Sequence, residues 1–371
     1  MKFYAFVLTS SLLTLQLCAQ QKKEGIAVTD LLLIKRASGV EISPRGDIAI
    51  FSVNSIWPAK ESKTAQGSKA DKASKTNEES QTESKTDYSY TNQLWKLDLR
   101  NNVKPTPLID GKEPASQAEF SPDGKKIAFV RSVKGKPQIF LMQVADGAIH
   151  QISNFKYGTS NPSWSPDGKR IIFTTSFTLQ EYIADANLNP GHAVPKWNDE
   201  KPGFTGNKDL EISNAKADAN GTPDEIRAYL SKNEADKKAK VLTRVQFQNE
   251  TTTTSELRFS HVFIMDADSA AVPLELTKGF YSFSNPKFLS NQKIVFTGKV
   301  DEQQHPDNVM EEEIFTVNTD ATGFTKLLGE SGKAYSVAAV SSSGKWLAYQ
   351  TSVPGTVNVP QLFVMKLAAA T

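Results

Sequence analysis

The tetrapeptide Ser-Pro-Asp-Gly occurs twice, as Ser121-Pro122-Asp123-Gly124 and as Ser165-Pro166-Asp167-Gly168, each time followed by basic residues and an apolar run. An aromatic residue precedes each copy, Phe120 in one and Trp164 in the other. Looser copies read ISPRGDIAIFSV from Ile42, FLSNQKIVFTG from Phe288 and VSSSGKWLAYQTS from Val340. A chain that repeats one unit folds by stacking copies of it, and the spacing selects the architecture. The two fullest copies lie 44 residues apart, Gly124 to Gly168, which is the length of a four-stranded propeller blade.

The chemistry of one unit agrees. Proline presets φ at the first corner of a tight turn, Asp hydrogen-bonds its own backbone, and Gly takes a positive φ. The β-branched and aromatic residues that follow suit a buried strand. A second strand comes next, Gln138 to Val144, then the hairpin signal Asp146-Gly147 and a short strand from Ile149 to Ser153. Similar strands recur from Gln93 to Leu99, His261 to Ala267, Glu313 to Thr319 and Gln361 to Leu367. The expected fold is all-β, a β-propeller of about five or six blades with a partly helical insertion. An open ring is among the arrangements that five units allow.

The 43 basic and 41 acidic side chains nearly cancel, so charge gives no reason to expect nucleic acid or an anionic membrane as partner. Residues 1–19 read as a secretory signal, with Lys2 at the start and an apolar stretch from Phe3 to Leu17 too short and polar to span a bilayer. Cleavage after Ala19 would expose Gln20, leaving residues 20–371 as the propeller. Cys18 is the single cysteine and lies in the signal; lipid attachment there is the alternative, although Leu17 stands where a small residue belongs. The mature chain then has no disulfide or thiol chemistry, and the expected address is periplasmic or extracellular.

Two insertions interrupt the repeats. Residues 59–87 contain no large aliphatic or aromatic side chain, so that segment is expected to be a disordered loop. Residues 179–240 include a helix signal: Thr222 as cap, Pro223 at the first position, Asp224 and Glu225 at the positive end, and Ile226, Tyr229 and Leu230 on one face. Trp197 and Phe204 lie in a polar loop of this insertion and are candidate substrate contacts; a packing flap is the plainer reading.

Three stretches carry a family resemblance: the opening Thr29 to Phe51, the SPDG units, and Lys240 to Gln248 followed by His261 to Phe288. Together they resemble the amino-terminal half of secreted serine peptidases of the prolyl oligopeptidase family, of the dipeptidyl-peptidase and acylaminoacyl-peptidase type. The resemblance implies a propeller that restricts entry to short or unstructured peptides and caps an α/β-hydrolase domain holding a Ser, Asp and His triad. The sequence departs from that plan. It contains no Gly-x-Ser-x-Gly elbow, and its last histidine, His305, follows no elbow serine. On this reading the chain is the gating propeller, inactive alone, partnered by a hydrolase domain in cis or in trans and by peptides, with no catalytic residue, metal or cofactor of its own. A stand-alone TolB-like periplasmic propeller acting through protein contacts is the second reading. Such proteins carry a separate α/β domain first, whereas here the first unit begins at Ile42.

Glu311 and Glu312, in the run Glu311-Glu312-Glu313, resemble the acidic pair with which dipeptidyl peptidases hold a substrate's free amino terminus. That pair belongs to an inserted helix in the family, whereas here the run enters a strand, so a solvated, charge-blunted strand edge is the alternative. Gly329-Glu330-Ser331-Gly332 reads as a turn rather than a nucleophile loop. Asp185, Asn187 and Asn189 have calcium-loop spacing but lack the Gly and Glu the loop needs. His150, His192, His261 and His305 stand singly, with no metal-binding spacing.

Overall fold

The computed structural model describes residues 25, 28–58, 88–101, 103–109, 114–198, 206, 207, 211, 214–235, 244, 245, 247, 248, 256–268, 272–357 and 359–367. The expectations for residues 1–19 and 59–87, and that for Phe204, fall outside them. Two compact units are distinguished: residues 1–38 with 53–92, and residues 39–52 with 93–371. In the first unit the described residues comprise a 3-10 turn, Val28–Leu33, and strand segments.

Among the described residues nineteen strands form five antiparallel sheets, the blades of a β-propeller. The first sheet holds β1 (Arg36–Ile42), β2 (Ile48–Pro58), β3 (Tyr88–Asp98) and β4 (Thr106–Pro107). The second holds β5 (Ala115–Phe120), β6 (Lys126–Val133), β7 (Lys136–Gln143) and β8 (Ile149–Gln151). In the third, β9 (Ser160–Trp164) and β10 (Arg170–Thr178) precede the long insertion, and β11 (Arg258–Asp266) and β12 (Leu274–Glu275) follow it. The fourth contains β13 (Phe283–Ser290), β14 (Lys293–Gly298), β15 (Glu313–Asn318) and β16 (Thr325–Leu328). The fifth has three strands among the described residues, β17 (Ala334–Val340), β18 (Trp346–Ser352) and β19 (Gln361–Lys366).

The SPDG units form the turn between the first and second strands of a blade. Ser121 Oγ donates to Asp123 Oδ1 at 2.7 Å and accepts from Lys126 N at 2.9 Å, while Gly124 N donates to Ser121 O at 2.8 Å. The same set closes the next turn, with Ser165 Oγ to Asp167 at 2.6 Å and Arg170 N to Ser165 Oγ at 2.9 Å. Successive turns touch: a Cβ on Gly124 would lie 3.4 Å from Pro44, and one on Gly168 would lie 3.6 Å from Pro122. Further round, the Asp167 amide donates to Asn291 Oδ1 at 3.0 Å.

Each core cluster lies between neighbouring blades. Phe129 and Met142 of the second blade pack with Ile50 and Leu94 of the first. Trp164, Phe173 and Phe263 of the third meet Ile139 and Leu141 of the second. Phe283, Phe296 and Phe315 of the fourth meet Ile172 and Val262 of the third, and Val295 and Ile314 of the fourth meet Tyr335 and Leu347 of the fifth. Phe120 and Trp164, placed before their turns, are both buried in these seams, and Trp164 Nε1 donates to Glu119 O of the neighbouring blade at 3.2 Å. Four inner strands, β5, β9, β13 and β17, shift register against the next strand, and in the first three a left-handed residue, Gln117, Asn161 and Asn285, lies at the shift with φ of 55°, 53° and 51°.

The insertion is partly helical, as its sequence suggests. A helix at Leu179–Ala184 opens with a capping box, Thr178 Oγ1 accepting from Glu181 N and Glu181 Oε2 from Thr178 N. A second, Pro223–Ala235, opens the same way with Thr222 and Glu225. Its expected apolar face is not buried, since Tyr229 and Leu230 are 39% and 44% exposed. Among the described residues no helix is long and apolar enough to cross a membrane.

Candidate functional site

In an antiparallel blade the connection from second to third strand, and the one leading to the next blade, both lie on the rim opposite the SPDG turns. On that rim the long insertion, the β12–β13 loop and the β14–β15 loop converge. They line an open cavity of about 230 Å³ whose walls include Phe280 and Tyr281, Arg244 and Arg258, and Glu311 and Glu312.

Two of the residues singled out in the sequence therefore meet in one cavity, but they are not equivalent. Glu311 Oε2 accepts from Lys299 Nζ at 3.1 Å and Oε1 from the Gly332 amide at 2.7 Å. The Gly332 amide and Lys299 together hold its carboxyl below the usual range. Glu313, the first residue of β15, is occupied by Lys299 at 3.0 Å and Lys326 at 3.3 Å. The Glu312 carbonyl accepts from Tyr335 N at 2.9 Å, but its side chain has no hydrogen-bond or ion-pair partner among the described residues; the residue is exposed, and the protein packed around its carboxyl pushes the pKa up. Only one carboxylate of the run is thus free to take a ligand's charge.

Across the cavity, the Arg258 guanidinium donates to Ser176 Oγ at 3.2 Å and to Ser176 O at 2.9 Å, with no carboxylate partner among the described residues. Arg244 reaches Asp307 at 3.8 Å, and its buried Nε has no acceptor among the described residues. Tyr281 titrates at about 12, through burial first and then the charges of Glu302 and Asp301, so its hydroxyl remains a donor at neutral pH. One side-chain-unpartnered carboxylate, two guanidinium groups and two aromatic rings thus line the same cavity.

Trp197 differs from its expected role. It is 3% exposed rather than a surface aromatic, with its ring edge-on to Phe280 at 5.6 Å and to His305 at 5.7 Å. It supports the aromatic wall from behind, because the polar neighbours that make its loop look solvated do not prevent the ring from packing on Phe280. The wall residues Phe280 and Tyr281, with Lys299 and Arg258, were not singled out from the sequence; the aromatic run Gly279-Phe280-Tyr281-Ser282-Phe283 was the available signal. Ser331 lies in the connection between β16 and β17, as its Gly and Ser neighbours suggest. Among the described residues no group of three His, Cys, Asp or Glu side chains is placed to hold a metal ion.

The Asp185 carboxylate, the first position of the calcium-like spacing, is instead taken up by Tyr157 Oη at 2.7 Å and Lys156 Nζ at 3.0 Å. Burial alone would raise its pKa; these bonds and the Asn187 amide outweigh it and hold the group at about 2, against an ordinary 3.8. A carboxyl depressed in the folded state contributes stability above its unfolded pKa and loses it as pH falls through the folded value. Asp185→Asn should therefore lower stability by about 2 kcal/mol near pH 6, and the difference should close near pH 2. Urea denaturation of both proteins at the two pH values measures this, and a gap that persists at pH 2 would refute it.

Residues 78–194 match the family model described as the TolB beta propeller domain. The chain carries a β-propeller, of which residues 78–194 are similar to the TolB type. Relatives divide between two kinds of protein. "Uncharacterized peptidase YuxL" of Bacillus subtilis is 32% identical over 98 residues, 26% of this chain and 15% of that one. "Tol-Pal system protein TolB" of Pseudomonas aeruginosa is 38% identical over 56 residues, 15% of this chain and 13% of that one. Among solved structures, an acylaminoacyl peptidase in complex with Z-Gly-Gly-Phe-chloromethyl ketone superposes with a TM-score of 0.51 at 13% identity, over 91% of this chain and 39% of that one. At that identity the likeness is one of fold. The propeller accordingly resembles both peptidase propellers and TolB, and the chain spans less than half the length of each of these relatives.

Proposed function

We propose that this propeller is the substrate-gating part of an exported prolyl oligopeptidase-type serine peptidase, with hydrolysis carried out by an α/β-hydrolase domain that holds the triad. The observation that carries the reading is the rim cavity, where the exposed Glu312 carboxylate, with no side-chain partner among the described residues, lies in the same cavity as an aromatic wall and Arg258, whose guanidinium is held by Ser176 and by no described carboxylate. An ammonium placed there would gain a charge-assisted hydrogen bond from a carboxylate that no described side chain already occupies. The similarity to YuxL supports a peptidase context. Glu312 would receive the free amino end of a short peptide, and Arg258 its first carbonyl.

The test is isothermal calorimetry with Ala-Ala-Ala and its N-acetyl form. The free tripeptide should bind the wild type at least about tenfold more tightly than the acetylated one, the worth of one charge-assisted bond. Glu312→Gln should erase that preference. Glu311→Gln should change it less, since Lys299 already neutralises Glu311. A larger loss at Glu311 than at Glu312 would overturn the assignment.

The similarity to Pseudomonas aeruginosa TolB favours a second reading, a periplasmic scaffold propeller working through protein contacts. The intact mass of the protein recovered from its source organism separates the two. A mass near twice 40.7 kDa supports the peptidase, and one matching residues 20–371 supports the scaffold.

A further inference from the structure

The connection between β12 and β13 delivers Phe280 and Tyr281 to the cavity, and its backbone is pinned at one residue from both sides. The Gly279 amide donates to Tyr182 Oη at 2.9 Å, and the Gly279 carbonyl receives His261 Nε2 at 2.8 Å. His261 is fully buried, and its other nitrogen faces Glu275 Oε1 at 2.7 Å. A carbonyl oxygen can only accept, so Nε2 carries a proton, and a single proton lies between Nδ1 and the Glu275 carboxylate. Glu275 thereby fixes the tautomer and orientation of a ring whose far side grips the loop.

The loop has little slack at this point. Gly279 has φ +100, and a Cβ there would lie 2.6 Å from the Tyr281 ring. Tyr182 acts twice, because its hydroxyl holds Gly279 while its ring stands edge-on to Phe280 at 5.3 Å. A buried polar network with every member bonded selects one arrangement of the segment it holds, where a purely apolar contact would tolerate several.

We propose that His261 is a positioning residue of the rim cavity: acting through Gly279, with Glu275 and Tyr182, it sets where Phe280 and Tyr281 stand and so what side chain the cavity admits beside a bound amino end. This rests on the reading of the cavity as a peptide site, and it makes the third blade a determinant of specificity without touching the ligand.

The test uses the full chain labelled with 3-fluorotyrosine, the Tyr281 resonance being assigned by its loss in Tyr281→Phe. Three variants are compared: Tyr182→Phe, the pair His261→Leu with Glu275→Leu, which leaves no buried charge behind, and His261→Gln, which keeps a donor toward Gly279. The first two should displace the Tyr281 resonance and weaken Ala-Ala-Ala binding by about tenfold or more, whereas His261→Gln should stay within about threefold of wild type. A folded Leu pair with Tyr281 at its wild-type position overturns the proposal. If the pair does not fold, an unmoved Tyr281 in Tyr182→Phe overturns it as well. If the wild type fails to bind the tripeptide, the peptide-site reading falls, and the fluorine resonances still decide whether the clamp exists.

Discussion

Phe259→Ala is expected to lower the unfolding free energy by about 3–5 kcal/mol, the cost of emptying a large aromatic site in a core that relaxes only in part. Phe259 is 1% exposed and pairs with Phe177 across β10 and β11. Its ring lies 6.3 Å from Trp197 and 5.9 Å from Phe280, so it is the floor on which the cavity's aromatic wall is built. The same change should therefore weaken tripeptide binding even in conditions where the variant remains folded. Denaturant titration gives the first quantity and calorimetry the second. A loss of less than about 1 kcal/mol would mean that the site collapses around the missing ring.

Gly344→Ala is expected to cost about 2–4 kcal/mol, out of proportion to one added methyl group. Gly344 sits at φ +65 in the turn of the fifth blade, and an added Cβ would press against the Leu289 carbonyl oxygen of the fourth. Backbone cannot swing aside as a side chain can, so the two blades must separate at that point. Gly332→Ala is the control. Its φ is +78, yet no atom lies within 4 Å of the built Cβ, so it should show only the left-handed penalty of about 1 kcal/mol. Equal losses in the two variants would show that conformation alone, not the contact with Leu289, constrains Gly344.

Much of the fold could be read from the sequence because its signals are local. The Ser, Asp and Gly of each SPDG unit bond within the turn they define, so Ser121 to Gly124 and Ser165 to Gly168 announce it without help from the rest of the chain. Thr222, Pro223 and Glu225 announce a helix start in the same way. What escaped the sequence depends on distant partners. The left-handed residues Gln117, Asn161 and Asn285 follow from the register of an inner strand against the next strand, which no tripeptide encodes. Trp197 looks solvated among Lys196, Asn198 and Asp199, but its burial is decided by Phe259 and Phe280. The acidic run was visible as charge, yet which of its three members remains unpaired is settled by Lys299, Lys326 and the Gly332 amide.

The contact between turns has a further meaning. Gly124 rests on Pro44, and Gly168, one blade on, rests on Pro122 from the same turn as Gly124. Across these two joints a turn offers its successor the surface on which it was itself received, as one link of a chain accepts another. A joint of that kind contains no instruction to stop. Duplicating a unit of this kind would reproduce the same joint, so blade number can change within such repeats without an interface being invented anew.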